Sequence, residues 1–111
     1  MIYLASPYTG PDDVMEQRYA LTCKACAGLV KKGFLIYSPI VHWHSIAVAH
    51  KLPRSHEFWR TLDYDMIRLS SGVIVLTIDG WQTSIGLSED LSAANMYHKS
   101  VTYKSLEECI S

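Results

Sequence analysis

Residues 80–86, which precede a predicted helix, contain the strongest candidates for ligand binding in this sequence. Gly80 and Gly86 allow the backbone to turn tightly and to come close to a ligand. The hydroxyl of Ser84 and the free N–H groups at the start of a helix favour an anion such as a phosphate. The segment therefore predicts a site for a small anionic or sugar-bearing ligand, and a serine that only caps the helix is the alternative.

Three carboxyl groups are the candidates for chemistry. Glu89 and Asp90 lie near the start of the helix that follows residues 80–86, and Asp63 lies in the preceding predicted helix. Carboxyl groups in a pocket can act as nucleophiles or as general acids and bases. The alternatives are that Glu89 and Asp90 only complement the helix dipole and that Asp63 lies on a solvated helix face.

The histidines and aromatic residues give weaker signals. In an extended segment His42 and His44 would point the same way, but no third ligand stands at a conventional spacing, so no metal site is predicted. A histidine at the rim of a ligand site is favoured instead. Trp59 and Trp81 lie near predicted loops, where they either pack in the core or stack on a base.

Several function classes are disfavoured by the sequence. It contains no Walker-type loop, no G-x-G-x-x-G and no G-x-S-x-G. P-loop NTPases, dinucleotide dehydrogenases and serine hydrolases are therefore poor matches. The formal net charge of −1 gives no electrostatic reason to expect binding to a nucleic acid polymer.

The length and composition predict one globular domain. The chain has 111 residues, of which 49% are hydrophobic and 19% charged. No apolar run approaches the roughly 18 residues of a membrane span, and the N-terminal residues do not resemble a signal peptide. We therefore expect no membrane association and a cytoplasmic location.

The candidate residues are connected by alternating predicted strands and helices. Strands are predicted at residues 2–5, 34–37, 73–78 and 100–103, and helices at 14–32, 57–69, 86–98 and 105–110. Residues 40–56 are predicted to be irregular, with a short helix around 45–50. This alternation predicts an α/β domain with a mainly parallel sheet covered by helices. Ligands of such sheets bind beyond the carboxyl ends of the strands, which favours residues 6–11 and 79–86.

Several short motifs together resemble one family. They are Ile2-Tyr3-Leu4-Ala5-Ser6-Pro7-Tyr8, Ser38-Pro39-Ile40, His42-x-His44, Phe58-Trp59 with Asp63, and Asp79-Gly80-Trp81 with Ser84-x-Gly86. In this order and spacing they resemble the uncharacterised DUF1937 family from Ile2 to about Tyr103. That family is similar to the nucleoside 2-deoxyribosyltransferases and the 2'-deoxynucleoside 5'-phosphate N-hydrolases.

This resemblance implies a fold, an activity and an assembly. The fold would be a three-layer, flavodoxin-like (Rossmann-like) sheet of four to five strands. The activity would be cleavage or transfer of the N-glycosidic bond of a nucleoside or nucleotide, through a carboxylate nucleophile and without a cofactor. The assembly would be a homodimer or higher homo-oligomer with sites near the subunit interface.

The resemblance also implies roles for individual residues. The loop after the first strand would line the pocket, Asp63 would contact the base or sugar and manage its proton, and the 80–86 segment would hold a 5'-phosphate. Trp81 is interpreted as a ligand wall, and His42 and Trp59 as further binding residues. The residues of the loop and of the phosphate element are Tyr3, Ser6, Tyr8, Ser84 and Gly86.

The nucleophile position departs from the family pattern. Counting from Ser84 without a gap places Asp90, rather than a glutamate, at the catalytic position, and Glu89 stands one residue earlier. Asp90 on its shorter side chain is one candidate nucleophile, and Glu89 after a one-residue shift is the other. A third alternative is a catalytically weak or inactive pocket that binds or sequesters a nucleotide-derived small molecule.

Overall fold

Four short strands form one parallel sheet. In the computed structural model, which describes residues 1–111, β1 is Ile2–Ala5, β2 is Ile36–Tyr37, β3 is Gly72–Leu76 and β4 is Val101–Lys104. The strand order is β2-β1-β3-β4, and every pair is parallel. All five residues of β3 are buried, as expected for a continuously apolar strand that is covered on both faces.

Five helices cover the sheet. They are α1 (Asp12–Lys31), α2 (Pro39–Ala49), α3 (His56–Leu69), α4 (Ile85–Met96) and α5 (Leu106–Ile110). Side chains of β1 alternate between the two faces, so that Tyr3 packs with residues of α3 and α4 while Leu4 packs with residues of α1 and α5. This arrangement is a three-layer, flavodoxin-like α/β fold, and it confirms the predicted fold class.

The topology places two loops at the same edge of the sheet. From β1 the chain crosses to β2 on one side, and it then returns to form β3 on the other side of β1. Ala5, the last residue of β1, lies opposite Val75 of β3. The loops that leave β1 and β3 are therefore neighbours at a reversal of strand order, where sheets of this kind bind ligands.

The helix predicted within residues 40–56 was too short. Instead of a short helix around 45–50, α2 runs from Pro39 to Ala49. The Ser38 hydroxyl accepts a hydrogen bond from the backbone N–H of Val41, and Pro39 occupies the first turn, where its missing N–H costs nothing. The Ser-Pro pair ends β2 and begins α2, whereas the sequence prediction used it only as a strand end.

The predicted second strand was too long. Phe34 and Leu35 are exposed, and only Ile36 and Tyr37 pair with β1. The other elements have the predicted type, with ends that differ by one or two residues. No helix combines the length and the apolar character that crossing a membrane requires.

Helices α1 and α5 come into backbone contact at one glycine. A methyl group built on Gly28 would overlap the carbonyl oxygen of Cys109 and the Cα of Ile110. Gly28 is buried in α1, so the close approach depends on the missing side chain.

Gly28→Ala should destabilise the protein. We expect the free energy of unfolding to fall by about 1–3 kcal/mol, because the overlap involves backbone that cannot move aside, and this outweighs a helix-propensity gain of about 1 kcal/mol. Urea denaturation measures the change. Gly10→Ala is the control, since its methyl group would contact Val14 at an ordinary 3.5 Å. Equal stability of the two variants would contradict the close α1–α5 contact.

Candidate functional site

A cavity lies beyond the carboxyl ends of β1 and β3. The loop after β1, α2, the start of α3 with the residues before it, and the start of α4 all contribute to its wall. The lining residues are Ser6, Tyr8, Thr9, Pro39, Ile40, Trp43, His44, Ala47, Arg54, His56, Trp59, Asp63, Ser84, Gly86 and Asp90. Seven of the predicted catalytic and ligand-binding residues are among them: Ser6, Tyr8, Trp59, Asp63, Ser84, Gly86 and Asp90.

Asp90 is held in the cavity by a buried tyrosine. It lies on α4 with 8% of its surface exposed. The hydroxyl of Tyr3, a fully buried residue of β1, donates to Oδ2 of Asp90 at 3.3 Å. Tyr3 itself does not line the cavity. It therefore contributes to the site indirectly, by fixing the Asp90 carboxyl group.

Asp63 has a different environment in the same cavity. Its Oδ1 atom is buried and has no hydrogen-bond partner. Burial without compensation penalises the ionised form and raises the pKa of Asp63 from 3.8 to about 7. Close to neutral pH this carboxyl group can therefore hold a proton, as a general acid must.

The pKa of Asp90 is raised by burial and by Asp63 together. Burial raises the pKa of Asp90 well above its usual range, the charge of Asp63 raises it further, and the hydrogen bond from Tyr3 opposes both effects. The two side chains consequently resist carrying negative charge at the same time. Carboxyl groups whose pKa is raised by burial or by a neighbouring charge within a cavity are typical of functional sites.

Glu89 points away from the cavity. Its carboxylate accepts hydrogen bonds from Arg60 at 3.3 Å and from the Tyr64 hydroxyl at 3.0 Å, both on α3. Successive helix residues point about 100° apart, so only one of Glu89 and Asp90 can face the cavity. The structure brings Asp90 to the site and uses Glu89 to join α4 to α3.

The start of α4 forms one side of the cavity. Ser84 caps the helix by accepting a hydrogen bond from the backbone N–H of Leu87 at 3.1 Å. Gly86 faces His56, whose Cβ atom would lie 3.4 Å from an added methyl group. Ser84 therefore has the capping role and also lines the cavity, so the two alternatives for this serine are compatible.

Gly80 and Trp81 lie outside the cavity wall. The φ angle of Gly80 is +92°, and a side chain here would overlap the Arg18 guanidinium. Arg18 donates to the carbonyl oxygens of Tyr8 and Thr9 at 3.2 and 3.0 Å. Gly80 thus makes room for an arginine that holds the loop after β1. Trp81 packs against the core and against Tyr103.

His42 also lies outside the cavity, because residues 42–44 are helical rather than extended. Residues two apart on a helix point about 200° apart. His44 is consequently buried and lines the cavity, whereas His42 is exposed. The structure holds no group of three His, Cys, Asp or Glu side chains close enough to bind a metal ion together.

The sequence analysis found Trp59 but missed Trp43 beside it and a cation, Arg54. The rings of Trp43 and Trp59 lie 5.3 Å apart, and their Nε1 atoms donate to the Tyr37 hydroxyl and the Pro53 carbonyl. Arg54 is held by Asp12 at 2.8 Å. A longer helix prediction from Ser38-Pro39 would have found Trp43, but no local pattern predicts the position of Arg54.

The chain matches the model of one protein family. The family is described as a domain of unknown function (DUF1937), and the match covers residues 1–105. No curated protein matches the chain.

Asp63→Asn should make the protein more stable at neutral and alkaline pH. Between about pH 4 and 7 the unfolded chain carries an ionised Asp63 while the folded chain keeps its proton, so wild-type stability falls as pH rises through this window. The change in pKa from 3.8 to about 7 corresponds to at most roughly 4 kcal/mol. In urea denaturation, the variant should have a higher free energy of unfolding than the wild type at pH 8. This difference should be smaller at pH 4.

The control for this measurement is Asp65→Asn. Asp65 is exposed on the same helix and pairs with Arg68 at 3.6 Å, so its removal should change stability little at either pH. An Asp63→Asn variant that is destabilised at pH 8, or that shows no dependence on pH, would contradict an uncompensated buried carboxyl group.

Gly80→Ala should cost more stability than Gly33→Ala. Gly33 has a φ angle of +93° but no neighbour near an added methyl group, so the two variants share the backbone strain and differ in the overlap with Arg18. We expect an excess cost of about 0.5–1.5 kcal/mol, the value of a disturbed hydrogen bond. The excess, measured by urea denaturation, should vanish in an Arg18→Gln background. An excess that persists there would show that Arg18 is not its cause.

Proposed function

The chain belongs to the DUF1937 family, and from its cavity we propose that it is an enzyme that cleaves or transfers the N-glycosidic bond of a (deoxy)nucleoside or its 5'-monophosphate. The observation that carries this proposal is the placement of Asp63 and Asp90 in one cavity with opposite hydrogen-bonding environments. The likeness of the motifs to nucleoside 2-deoxyribosyltransferases and nucleotide N-hydrolases supports it.

Asp90 is the proposed nucleophile. The hydrogen bond from Tyr3 favours the ionised form of Asp90, while the partnerless oxygen of Asp63 favours its protonated form. Burial raises the pKa of both carboxyl groups, but only Asp90 accepts a hydrogen bond that stabilises its charged form, and on this ground we assign the negative charge of the pair to Asp90. Its carboxylate attacks the anomeric carbon and forms a glycosyl ester, as the nucleophile does in retaining glycosidases.

Asp63 is the proposed proton donor. When the C–N bond breaks, its electron pair goes to a nitrogen of the departing base, which takes the proton of the Asp63 carboxyl group. A pKa of about 7 suits a general acid that works near neutral pH. Water, or the nitrogen of a second base, then attacks the ester and releases Asp90. No step needs a cofactor.

The cavity offers separate surfaces for the base and for an anion. The indole groups of Trp43 and Trp59 are fixed by hydrogen bonds and lie where a planar base can stack on them. Arg54 and the start of α4 at Ser84 and Gly86 supply a positive charge and a helix N-terminus, which suit a phosphate. A nucleotide has both a base and a phosphate group.

Assembly and location stay predictions. The proposed enzyme is a homodimer or a higher homo-oligomer in the cytoplasm, with a small-molecule nucleoside or nucleotide as its substrate. These expectations come from the family resemblance and from the composition of the chain.

Asp90→Asn should abolish the activity and Glu89→Gln should not. The wild type is incubated with deoxynucleosides and their 5'-monophosphates, and free base is measured by chromatography, with and without a second base as acceptor. Loss of the nucleophile should lower the rate by about 10³-fold or more, because no ester can form. Glu89→Gln should stay within a few-fold of wild type, since Glu89 contacts α3 instead of the cavity.

Three results of the same assay would contradict the proposal. Loss of activity in Glu89→Gln with retention in Asp90→Asn would reverse the assignment. Tight binding of a nucleotide that is recovered intact would favour a protein that sequesters its ligand. If no compound of the panel binds and none releases free base, the proposal of a nucleoside site is refuted.

A further inference from the structure

Three side chains that the proposed reaction has not used form a continuous chain of hydrogen bonds at the cavity. The Tyr8 hydroxyl lies 2.6 Å from Nδ1 of His44, and Nε2 of His44 lies 2.8 Å from Oε1 of Glu16. Tyr8 follows β1, Glu16 is on α1 and His44 is on α2. Three separate segments therefore converge on one imidazole ring.

The hydrogen bonds that join Tyr8, His44 and Glu16 run from the cavity to the solvent. Tyr8 lines the cavity, the His44 side chain is only 3% exposed, and the Glu16 side chain is 58% exposed. The ring of Tyr19 stacks on His44 with a centroid distance of 4.2 Å and an interplanar angle of 21°. The carboxylate of Glu16 and the face of Tyr19 both stabilise a positive charge on the imidazole.

The donor and the acceptor of each of these hydrogen bonds follow from the chemistry of Glu16. A carboxylate only accepts hydrogen bonds, so the proton of the neutral imidazole lies on Nε2, facing Glu16. Nδ1 is then the acceptor, and the Tyr8 hydroxyl donates to it. The proton of Tyr8 points away from the ligand, and its oxygen is left to accept a proton from the cavity side.

We propose that Tyr8, His44 and Glu16 form a proton relay that accepts a proton from the water molecule that resolves the glycosyl ester. The inference rests on the proposed function and deepens it, because it assigns the base of the second half-reaction. It also favours hydrolysis, in which water is the acceptor.

The step is balanced without any further reactant. The water oxygen forms a bond to the anomeric carbon, and the bond between that carbon and the Asp90 oxygen breaks, returning its electron pair to the carboxylate. The water proton passes to the Tyr8 oxygen while the Tyr8 proton passes to Nδ1 of His44. The resulting imidazolium is paired with Glu16, and it loses its proton to the solvent on that side.

The relay and Asp63 have complementary roles. Asp63 gives its proton to the departing base in the first half-reaction and regains one from the solvent before the next turnover, whereas the Tyr8 oxygen is oriented to accept a proton in the second. Burial also raises the pKa of Tyr8, so the phenol stays protonated at rest, and the neighbouring Arg54 limits this rise. The guanidinium group thereby stabilises the negative charge that develops on the Tyr8 oxygen as the proton moves.

Tyr8→Phe separates the two half-reactions. With a deoxynucleoside that the wild type hydrolyses, the variant should release a first equivalent of base within a few-fold of the wild-type rate. Steady-state release should fall by about 10²–10⁴-fold, the usual contribution of a general base. Intact-protein mass spectrometry should show the enzyme carrying one deoxyribosyl group. His44→Gln should behave similarly, and Tyr103→Phe, remote from the cavity, is the control.

Sodium azide provides the decisive measurement. Azide attacks without losing a proton, so it should restore steady base release to Tyr8→Phe and form a deoxyribosyl azide, with little effect on the wild type. An equal slowing of the first and later turnovers, or no response to azide, would overturn the relay while leaving the N-glycosidase proposal intact. A wild type that releases no base would overturn both.

Discussion

Strands β1 and β3 pair in parallel from Ile2 opposite Gly72 to Ala5 opposite Val75. This pairing brings together the loop that carries Tyr8 and the segment that leads into α4. It also places Tyr3 beneath α4, where its hydroxyl reaches Asp90. Because parallel strands end at the same edge of a sheet, residues far apart in the chain share one cavity. Every proposed step of the reaction depends on this shared edge.

The cavity keeps carboxyl groups in a setting that is unfavourable for folding. A buried oxygen of Asp63 has no partner, and burial raises the pKa of both Asp63 and Asp90. Such an arrangement costs stability, and proteins retain it where the perturbed groups serve a function. The two carboxyl groups of the site are distinguished by a single hydrogen bond from a residue in the centre of the sheet. That bond connects the core of the fold to the chemistry proposed at its edge.

Local patterns predicted the elements whose own residues specify them. The apolar run of β3, the periodic α1 and the capped start of α4 were each found within one or two residues. The length of helix α2 was underestimated, because its Ser-Pro start also fits the end of a strand. The segment with its two histidines was therefore taken as extended. That error left His42 and His44 on one face, whereas the helix turns His44 into the cavity and His42 towards the solvent.

The sequence by itself determined the fold class, the two loops at the ligand edge and the candidate types of chemistry, because these follow from periodicity and from residue type. Only the tertiary structure decided which of Glu89 and Asp90 faces the cavity, since that depends on which side of α4 faces α3. It alone brought Tyr8 to His44, 36 residues away, and His44 to Glu16, 28 residues away. Hydrogen bonds over such separations depend on the packing of whole helices against the sheet, and no local pattern encodes them.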